Sequence, residues 1–453
     1  MIAPTRRQFL AMAGGGLGDL ALADLLRADG LTAPLVPHFA LKAKSVIWLF
    51  MEGGPSGMDT FDPKPALEKG HGKQPKESID VFFGNPGPLM KSPFTFQQYG
   101  QSGGWACEHL TNIAQHVDDI AMIKSVHAES PNHTPALFQM NTGITRPGFP
   151  CAGSWINYGL GSPNQNLPGF VVMQNNRGTK GGPMNWSSGF LPASFQGTPF
   201  RTSGSPLLDL DRPSDLTEVR QRKMLDLAKS LNQRHQLDHP TESDLTARIR
   251  SYELAFQMQS EAKEAVDLSQ ESARTKDDYG LERKQTSGFG RKCLLARRLV
   301  ERGVRFVQVY SDGEWDAHGG LEKNHRENCQ AVDQPIAALL ADLKARGLLE
   351  STLVIWGGEF GRMPVSQRGS GRDHNPHGFL MWMAGGGIKG GTHYGNTDDI
   401  GYKAAEDPVS VHDIHATILH LLGMDHKALT YTHNGRRYRL TDVAGNVITP
   451  ILS

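Results

Sequence analysis

Short apolar runs recur along the chain, and several of them end at a glycine or an acidic residue. The run at 45–51 is followed directly by Glu52, and the run at 353–356 is followed by two glycines and Glu359. Continuous apolar runs of this length are typical of strands buried on both faces of a parallel sheet. Similar runs predict further strands at 120–124, 169–173, 304–310 and 379–384.

Helical patterns separate these strands. Apolar periodicity and capping signals predict helices at 107–117, from about Pro135 to a stop at Gly143, and at 288–303, 322–346 and 408–422. Residues 144–212 are rich in loop formers, and a small hairpin is expected within 431–452. Two charge-rich patterns, 218–236 and 244–265, predict a helical insertion over about 214–285. The alternation of strand and helix predicts an α/β fold with a mainly parallel central sheet.

Composition narrows the possible partners. The chain has 453 residues, with 47 Lys and Arg against 47 Asp and Glu, so its formal net charge is zero. This balance does not favour a nucleic-acid partner, and no apolar run approaches the roughly 18 residues of a membrane helix. The four cysteines show no C-x-x-C spacing. They are either buried thiols or form one or two disulfides, which the sequence does not decide.

The first 30 residues resemble an export signal. Arg6 and Arg7 lie in a Thr-Arg-Arg-Gln-Phe-Leu segment, followed by a weakly apolar stretch rich in Ala, Gly and Leu. This pattern is typical of twin-arginine (Tat) signals and predicts a protein that is exported by the Tat machinery and is periplasmic or secreted. The alternative is an ordinary amphipathic helix, which Asp19 and Asp24 favour because signal segments seldom carry acids. We expect the remaining domain to span 40–453.

Potential metal ligands follow three of the predicted strands. They are Glu52, Asp316, His318, Glu359, His374 and His377. In open α/β sheets, ligands collect beyond the carboxyl ends of the strands. Carboxylates that converge there would repel each other unless a cation lay between them. Oxygen and imidazole ligands suit zinc, manganese or calcium, so we predict one or two divalent metal ions at this edge. The alternative for any single Asp-x-His pair is an ordinary surface turn.

Other polar residues in the same loops are candidates for substrate contacts. Arg362 and Arg372 could bind an oxyanion bidentately, and Asp59 lies close to Glu52 in the sequence. Metal-dependent hydrolysis of phosphate or sulfate esters uses such a centre, because the cation polarises the ester oxygen. The expected substrate is therefore a small-molecule or glycan ester.

Several motifs together resemble the family of proteins with domain of unknown function 1501. The first is Trp-Leu-Phe-Met-Glu-Gly-Gly-Pro-Ser at 48–56, followed by Asp-Thr-Phe-Asp-Pro-Lys-Pro at 59–65. Gly-Glu-Trp-Asp-Ala-His-Gly at 313–319, Gly-Gly-Glu-Phe-Gly-Arg at 357–362 and the 413–419 and 434–437 segments complete the resemblance. The family resembles the alkaline phosphatase and sulfatase superfamily. This implies a doubly wound α/β sandwich with metals at the strand ends.

The resemblance also indicates where a nucleophile would lie. Superfamily nucleophiles start a helix that ends in Thr-Gly, and counting back nine residues from Thr142 reaches His133. A Cys/Ser-x-Pro-x-Arg signature does not occur, which disfavours a formylglycine sulfatase. Either Thr134 or Ser130 is the nucleophile, or His133 is a ligand or phospho-acceptor, or hydrolysis has been lost. We expect a metal-dependent hydrolase; the alternative is a non-catalytic protein that binds sulfated or phosphorylated glycans.

Overall fold

A nine-stranded mixed sheet forms the centre of the molecule. The structure is a computed structural model that describes residues 36–175, 177–202, 207, 212–238 and 243–453. The strands of the sheet are β1 (Ser45–Phe50), β2 (Ile120–His127), β3 (Phe170–Met173), β4 (Thr198–Pro199), β5 (Phe306–Tyr310), β6 (Thr352–Gly357), β7 (Phe379–Ala384), β8 (His393–Tyr394) and β9 (Val409–Ser410).

The sheet is mainly parallel, as the apolar runs predict. Its order is β8-β2-β7-β6-β1-β5-β3-β4, and β9 also pairs with β2. Strand β1 runs parallel to both of its neighbours, with Trp48 opposite Gln308 of β5 and Ile355 of β6. Only β7 runs against its partners β6 and β2. The carboxyl ends of β6, β1 and β5 therefore lie side by side at one edge of the sheet.

Helices cover both faces of the sheet. They are α1 (Pro65–Gly70), α2 (His133–Thr142), α3 (Ala152–Leu160), α4 (Glu218–Asp238), α5 (Ser243–Val266), α6 (Ala273–Asp278), α7 (Ser287–Glu301), α8 (Leu321–Ala345) and α9 (Val411–Leu421). Helices α7 and α8 pack on one face, and α2, α3 and α9 pack on the other. The result is a doubly wound α/β sandwich.

Strand β1 shows why its sequence has no polar alternation. Ile47 and Leu49 belong to the apolar layer under α7 and α8, whereas Trp48 and Phe50 belong to the layer under α2, α3 and α9. Successive side chains of a strand point to opposite faces. Both faces are covered here, so every residue of β1 is buried.

Two local predictions were wrong or incomplete. The helix expected at 107–117 is instead the end of a hairpin, Phe96–Tyr99 with Gly104–Cys107, followed by a 3-10 helix at Ile113–Asp119. Cys107 pairs with Phe96 across this hairpin, and that pairing overrides the local helical pattern. Helix α3 lies in the stretch expected to be loops. All nine of its residues are buried, so it has no polar face that would reveal a helical period.

The remaining small elements lie at the edges of the sandwich. Hairpins form between Gly361–Arg362 and His374–Asn375, between Asn396–Thr397 and Ala404–Glu406, and between Tyr431–His433 and Arg436–Tyr438. All four cysteines are buried free thiols. Among the described residues, no helix is both long and apolar enough to span a membrane. The expected signal segment at 1–30 lies outside the described residues.

A fully buried ion pair between Asp59 and Arg372 connects the loop after β1 to the segment after β6. The Nε and Nη2 atoms of Arg372 donate to the two carboxylate oxygens of Asp59 at 2.7 and 3.2 Å. Ser56 Oγ also donates to Asp59 at 2.5 Å. Burial alone would raise the pKa of Asp59, but the charge and hydrogen bonds of Arg372 hold that pKa below its ordinary value. The pair therefore remains ionised without solvent.

Removing one member of this pair should destabilise the fold. In an Arg372→Met variant, Asp59 would be a buried carboxylate without its cation. We expect the free energy of unfolding in urea to fall by about 3–5 kcal/mol, the usual cost of breaking a buried pair. The matched control is Arg326→Met, which removes an exposed bond to Glu322 and should change stability little. Equal losses in the two variants would contradict this structural role.

Candidate metal centre

The candidate centre lies beyond the adjacent carboxyl ends of β6, β1 and β5. Glu52 follows β1 by two residues, Asp316 lies in the loop after β5, and Glu359 lies in the loop after β6. Gly53 allows these loops to meet. Its φ is +110°, and a Cβ at this position would lie 2.6 Å from the backbone nitrogens of Trp315 and Asp316. The Glu-Gly-Gly sequence after β1 is therefore required by backbone packing.

The two glutamates are buried at the floor of the site. Glu359 accepts hydrogen bonds from Gly53 N–H at 3.0 and 3.2 Å. Glu52 Oε1 accepts from Lys180 N–H at 2.8 Å, while its buried Oε2 has no hydrogen-bond partner among the described residues. Burial raises the pKa of Glu52 to about 7; the Lys180 hydrogen bond opposes this rise, and the charge of Glu359 adds to it. The raised pKa shows that a second negative charge beside Glu359 is unfavourable at this floor.

His133 bridges two of the acidic loops. Its Nδ1 lies 2.6 Å from Glu359 Oε1, and its Nε2 lies 3.1 Å from Asp316 Oδ2. The second contact is short but poorly aligned, so Nε2 makes no proper hydrogen bond. His133 is the first residue of α2, which begins two residues before the expected start at Pro135 and has Asn132 as its N-cap. The helix ends at Gly143, as predicted, with a φ of +79°.

His374 joins this first cluster to a second one. Its Nε2 lies 3.3 Å from Asp316 Oδ1, and its Nδ1 lies 2.6 Å from the Pro131 carbonyl oxygen. His318 Nε2 also approaches Asp316 Oδ1, at 3.1 Å, and His318 Nδ1 lies 3.6 Å from Asp373 Oδ1. Two groups of potential ligand atoms result, each contained within 4.8 Å: His133, Asp316 and His374, and His318, Asp373 and His374.

The electrostatics of these groups favour an ionised Asp316, a neutral His374 and a protonated His133. Burial would raise the pKa of Asp316, but its close contacts with the imidazoles of His133, His318 and His374 hold that pKa well below its usual range. Burial lowers the pKa of His374, which favours its neutral, metal-binding form. The pKa of His133 is raised, because its bonds to Asp316 and Glu359 outweigh the effect of burial. Without a cation, a proton on His133 balances the carboxylates.

Several predicted site residues do not join these groups. His377 is exposed and meets the Tyr402 ring edge-on, with ring centroids 5.5 Å apart, and it belongs to neither ligand group. Arg372 and Asp59 are committed to each other and are inaccessible to a substrate. Arg362 is also fully buried, where it binds the Gly53 and Gly54 carbonyls and donates to Asp316 at 2.8 Å. These groups hold the loops together and are not free to bind an oxyanion.

The two hydroxyl candidates lie at the start of α2. Ser130 Oγ accepts from Asn132 N–H at 3.1 Å, and Thr134 N–H donates to the Asn132 side chain at 3.3 Å. Both residues are therefore part of the turn that caps the helix. The side chain that α2 directs at Glu359 and Asp316 is His133.

Two residues of the site were missing from the predicted set. Asp373 supplies a carboxylate to the second group, and its position next to His374 in the sequence was the available signal. Lys180 lies in a glycine-rich loop far from any motif. Its ammonium binds Glu314 and lies 3.8 Å from Asp316 Oδ2, with about a third of its side chain exposed. Only the folded chain brings this cation to the acidic edge.

The residues present fit a divalent cation. Carboxylate oxygens and imidazole nitrogens from separate loops converge within bonding range of common points. The unpartnered oxygen of Glu52 and the poorly bonded Nε2 of His133 are buried polar atoms that need a partner. A cation would also relieve the repulsion between Glu52 and Glu359.

The fold is similar to those of solved phosphatases and sulfatases. A sulfatase from Pseudoalteromonas sp. shares 14% identity, with 89% of this chain and 70% of that chain covered and a TM-score of 0.36. A variant of TAB5 alkaline phosphatase with Mg bound shares 12% identity, with coverages of 85% and 99% and a TM-score of 0.38. A phosphonate monoester hydrolase from Silicibacter pomeroyi shares 10% identity, with coverages of 76% and 71% and a TM-score of 0.36. Similarities this remote do not establish what this chain binds or hydrolyses.

Comparison of the sequence with protein-family models identifies the family of the chain. Among curated proteins, none matches the chain. A family model described as "Protein of unknown function (DUF1501)" matches residues 43–452, which is nearly the whole chain. This match confirms the resemblance noted in the motifs after β1, β5 and β6. The chain belongs to the DUF1501 family.

Proposed function

We propose that this protein is a metal-dependent hydrolase of phosphate or sulfate esters. The observation that carries the proposal is the pair of ligand groups that share His374 at the carboxyl edge of the sheet. Such a pair can hold one or two divalent cations. A bound cation would polarise the ester oxygen and stabilise the charge that develops during hydrolysis.

Different residues at this edge would bind the cation and the anionic part of the substrate. His133, Asp316 and His374 form one possible cation site, and His318, Asp373 and His374 form another. Because His374 Nδ1 bonds the Pro131 carbonyl oxygen, only its Nε2 is free, and it would complete one of these sites at a time. The predicted ligands Glu52 and Glu359 belong to neither group, but both are buried at the floor of the site, where they would add negative charge that favours a cation. His133 directs both ring nitrogens at carboxylates, which favours its role as a ligand over that of a phospho-acceptor. Lys180, partly exposed beside Asp316, would neutralise an anionic head group.

A second candidate function is the binding of phosphorylated or sulfated glycans without hydrolysis. The observation that favours it is the side chain at the start of α2. There, His133 stands between two carboxylates, and Ser130 Oγ accepts a hydrogen bond from Asn132 N–H. A protein that keeps the metal ligands but lacks a serine, threonine or cysteine nucleophile could retain binding alone. Turnover of an ester would exclude this alternative.

We further propose that the protein acts in the periplasm or outside the cell after export by the twin-arginine pathway. The support is the Arg6-Arg7 segment near the N-terminus. Folded export is compatible with metal loading before transport. A fusion of residues 1–40 to a reporter, with Arg6→Lys and Arg7→Lys as the control, tests the signal.

Metal content should depend on His374 more than on any other histidine. Because both ligand groups contain it, we expect His374→Ala to remove all bound zinc, manganese or calcium. His133→Ala and His318→Ala should each lower the metal content less than His374→Ala does, because each of them belongs to one group only. Elemental analysis of the purified, reconstituted full chain measures this, and circular dichroism confirms that each variant is folded.

The exposed His377 provides the matched control for that series. A His377→Ala variant should retain the wild-type metal content, because its imidazole belongs to neither group. The same preparations should then be assayed on phosphate and sulfate esters. A folded wild-type protein that takes up no divalent cation would refute the proposed hydrolysis. Stoichiometric metal with binding but no turnover would support the glycan-binding alternative.

Lys180 should contribute to anion binding and not to metal binding. We expect Lys180→Gln to weaken the binding of methylphosphonate or methanesulfonate about three- to thirty-fold, which is typical of losing one charge-assisted contact. Metal content should not fall, since the ammonium of Lys180 is not a metal ligand. Lys323→Gln, on the exposed face of α8, is the control that should leave both unchanged. If Lys180→Gln and Lys323→Gln behave alike in calorimetric titrations, Lys180 has no role in anion binding.

A further inference from the structure

Two adjacent phenylalanines lie exposed against the histidines of the candidate centre. Phe82 and Phe83 are 38% and 49% exposed, and their ring centroids are 4.4 Å apart. The Phe82 ring stacks on His374 at 5.8 Å with an interplanar angle of 20°. The Phe83 ring meets His318 edge-on at 5.3 Å. The exposed aromatic surface is therefore continuous with the side chains that would hold the cations.

The segment that carries these rings is anchored on both sides. Phe83 N–H donates to Asp373 Oδ2 at 2.7 Å, so a member of the second ligand group fixes its backbone. Just before it, Ile79 is buried with Met363 and Val365, and Val81 packs against that cluster. The rings are thus held in place over the centre by neighbouring contacts.

The solvent exposure of Phe82 and Phe83 is energetically unfavourable. Fully burying a phenylalanine side chain is worth about 1.5–3 kcal/mol, so two half-exposed rings forgo much of that stabilisation. The chain buries the neighbouring Phe360 completely, and that ring also contacts His374, at 4.5 Å. Packing around His374 is therefore already provided from within the core. Exposed apolar surface beside polar groups commonly marks a binding site.

We propose that Phe82 and Phe83 form a subsite for the alcohol part of the ester, and that this part presents a flat ring. The inference rests on the proposed hydrolase function and specifies its substrate class. An aromatic ring offers its face to another aromatic ring or to the apolar face of a sugar ring. The substrate is then an aryl or sugar ester whose anionic head lies at the cations and Lys180. Open-chain esters would lack this contact.

Paired ligands that differ only in the ring test the subsite. Phenylphosphonate and methylphosphonate share one head group, and benzenesulfonate and methanesulfonate share another. We expect the metal-loaded full chain to bind the ring-bearing member of at least one pair about three- to ten-fold more tightly per contacting ring. Calorimetric titration gives both dissociation constants. Glucose 1-phosphate compared with glycerol 3-phosphate tests a sugar ring against an open chain, and the phenyl and methyl pairs test an aryl ring.

Variants show whether the two phenylalanines cause this preference. Phe82→Ala and Phe83→Ala should abolish it while leaving the affinity for the methyl ligands and the metal content unchanged. Phe83→Leu keeps apolar volume and should still lose most of the preference, whereas Phe83→Tyr should retain it. The matched control is Phe39→Ala, because Phe39 is also 38% exposed and contacts a histidine, His420, at 4.9 Å.

The outcomes separate this inference from the proposed function. If the methyl ligands bind but no ring-bearing ligand is preferred, the subsite is refuted and the hydrolase proposal stands. A preference that survives both alanine variants also refutes the subsite. If no phosphonate, sulfonate or phosphate ester binds to metal-loaded protein, the proposed function fails, and the subsite fails with it.

Discussion

Mutual repulsion among carboxylates at one edge of the sheet is the constraint on which the surrounding structure depends. Glu52, Asp316 and Glu359 follow three neighbouring parallel strands, so the topology itself forces them together. The fold opposes this repulsion with groups that cannot move away. Arg362 is fully buried and donates to Asp316, and His133 stands between Asp316 and Glu359. Many of the hydrogen bonds and ion pairs around the site therefore hold the acidic loops close to each other.

Two arginines that the sequence suggests as anion-binding residues have structural roles instead. Arg362 and Arg372 lie in the glycine-rich stretch after β6, where an oxyanion clamp would be plausible. Both are buried, and their donors go to backbone carbonyls and to Asp316 or Asp59. A guanidinium group suits this structural role, because its five N–H donors lie in one plane and can bond several acceptors from different loops at once. Lys180 provides a positive charge at the edge that is partly accessible to solvent.

The centre is also layered from floor to surface. Glu52 and Glu359 are buried beneath the histidines, and Phe360 supports His133 and His374 from the core. Above them, Phe82 and Phe83 remain partly open to solvent. This order places polar ligands in a dry environment, in which electrostatic interactions are stronger than in water. The site is open to solvent next to Phe82, Phe83 and Lys180.

The sequence by itself determined the strands, most helices and the acids that follow β1, β5 and β6. Burial on both faces leaves a continuous apolar run, and the loops begin where that run stops. It indicated six ligand positions, of which the structure gathers Asp316, His318 and His374 with His133 and Asp373. Tertiary structure alone decided that Arg372 pairs with Asp59, that His377 faces away, and that Lys180 and Phe83 reach the site. These contacts join segments separated by more than a hundred residues, and no local pattern encodes them.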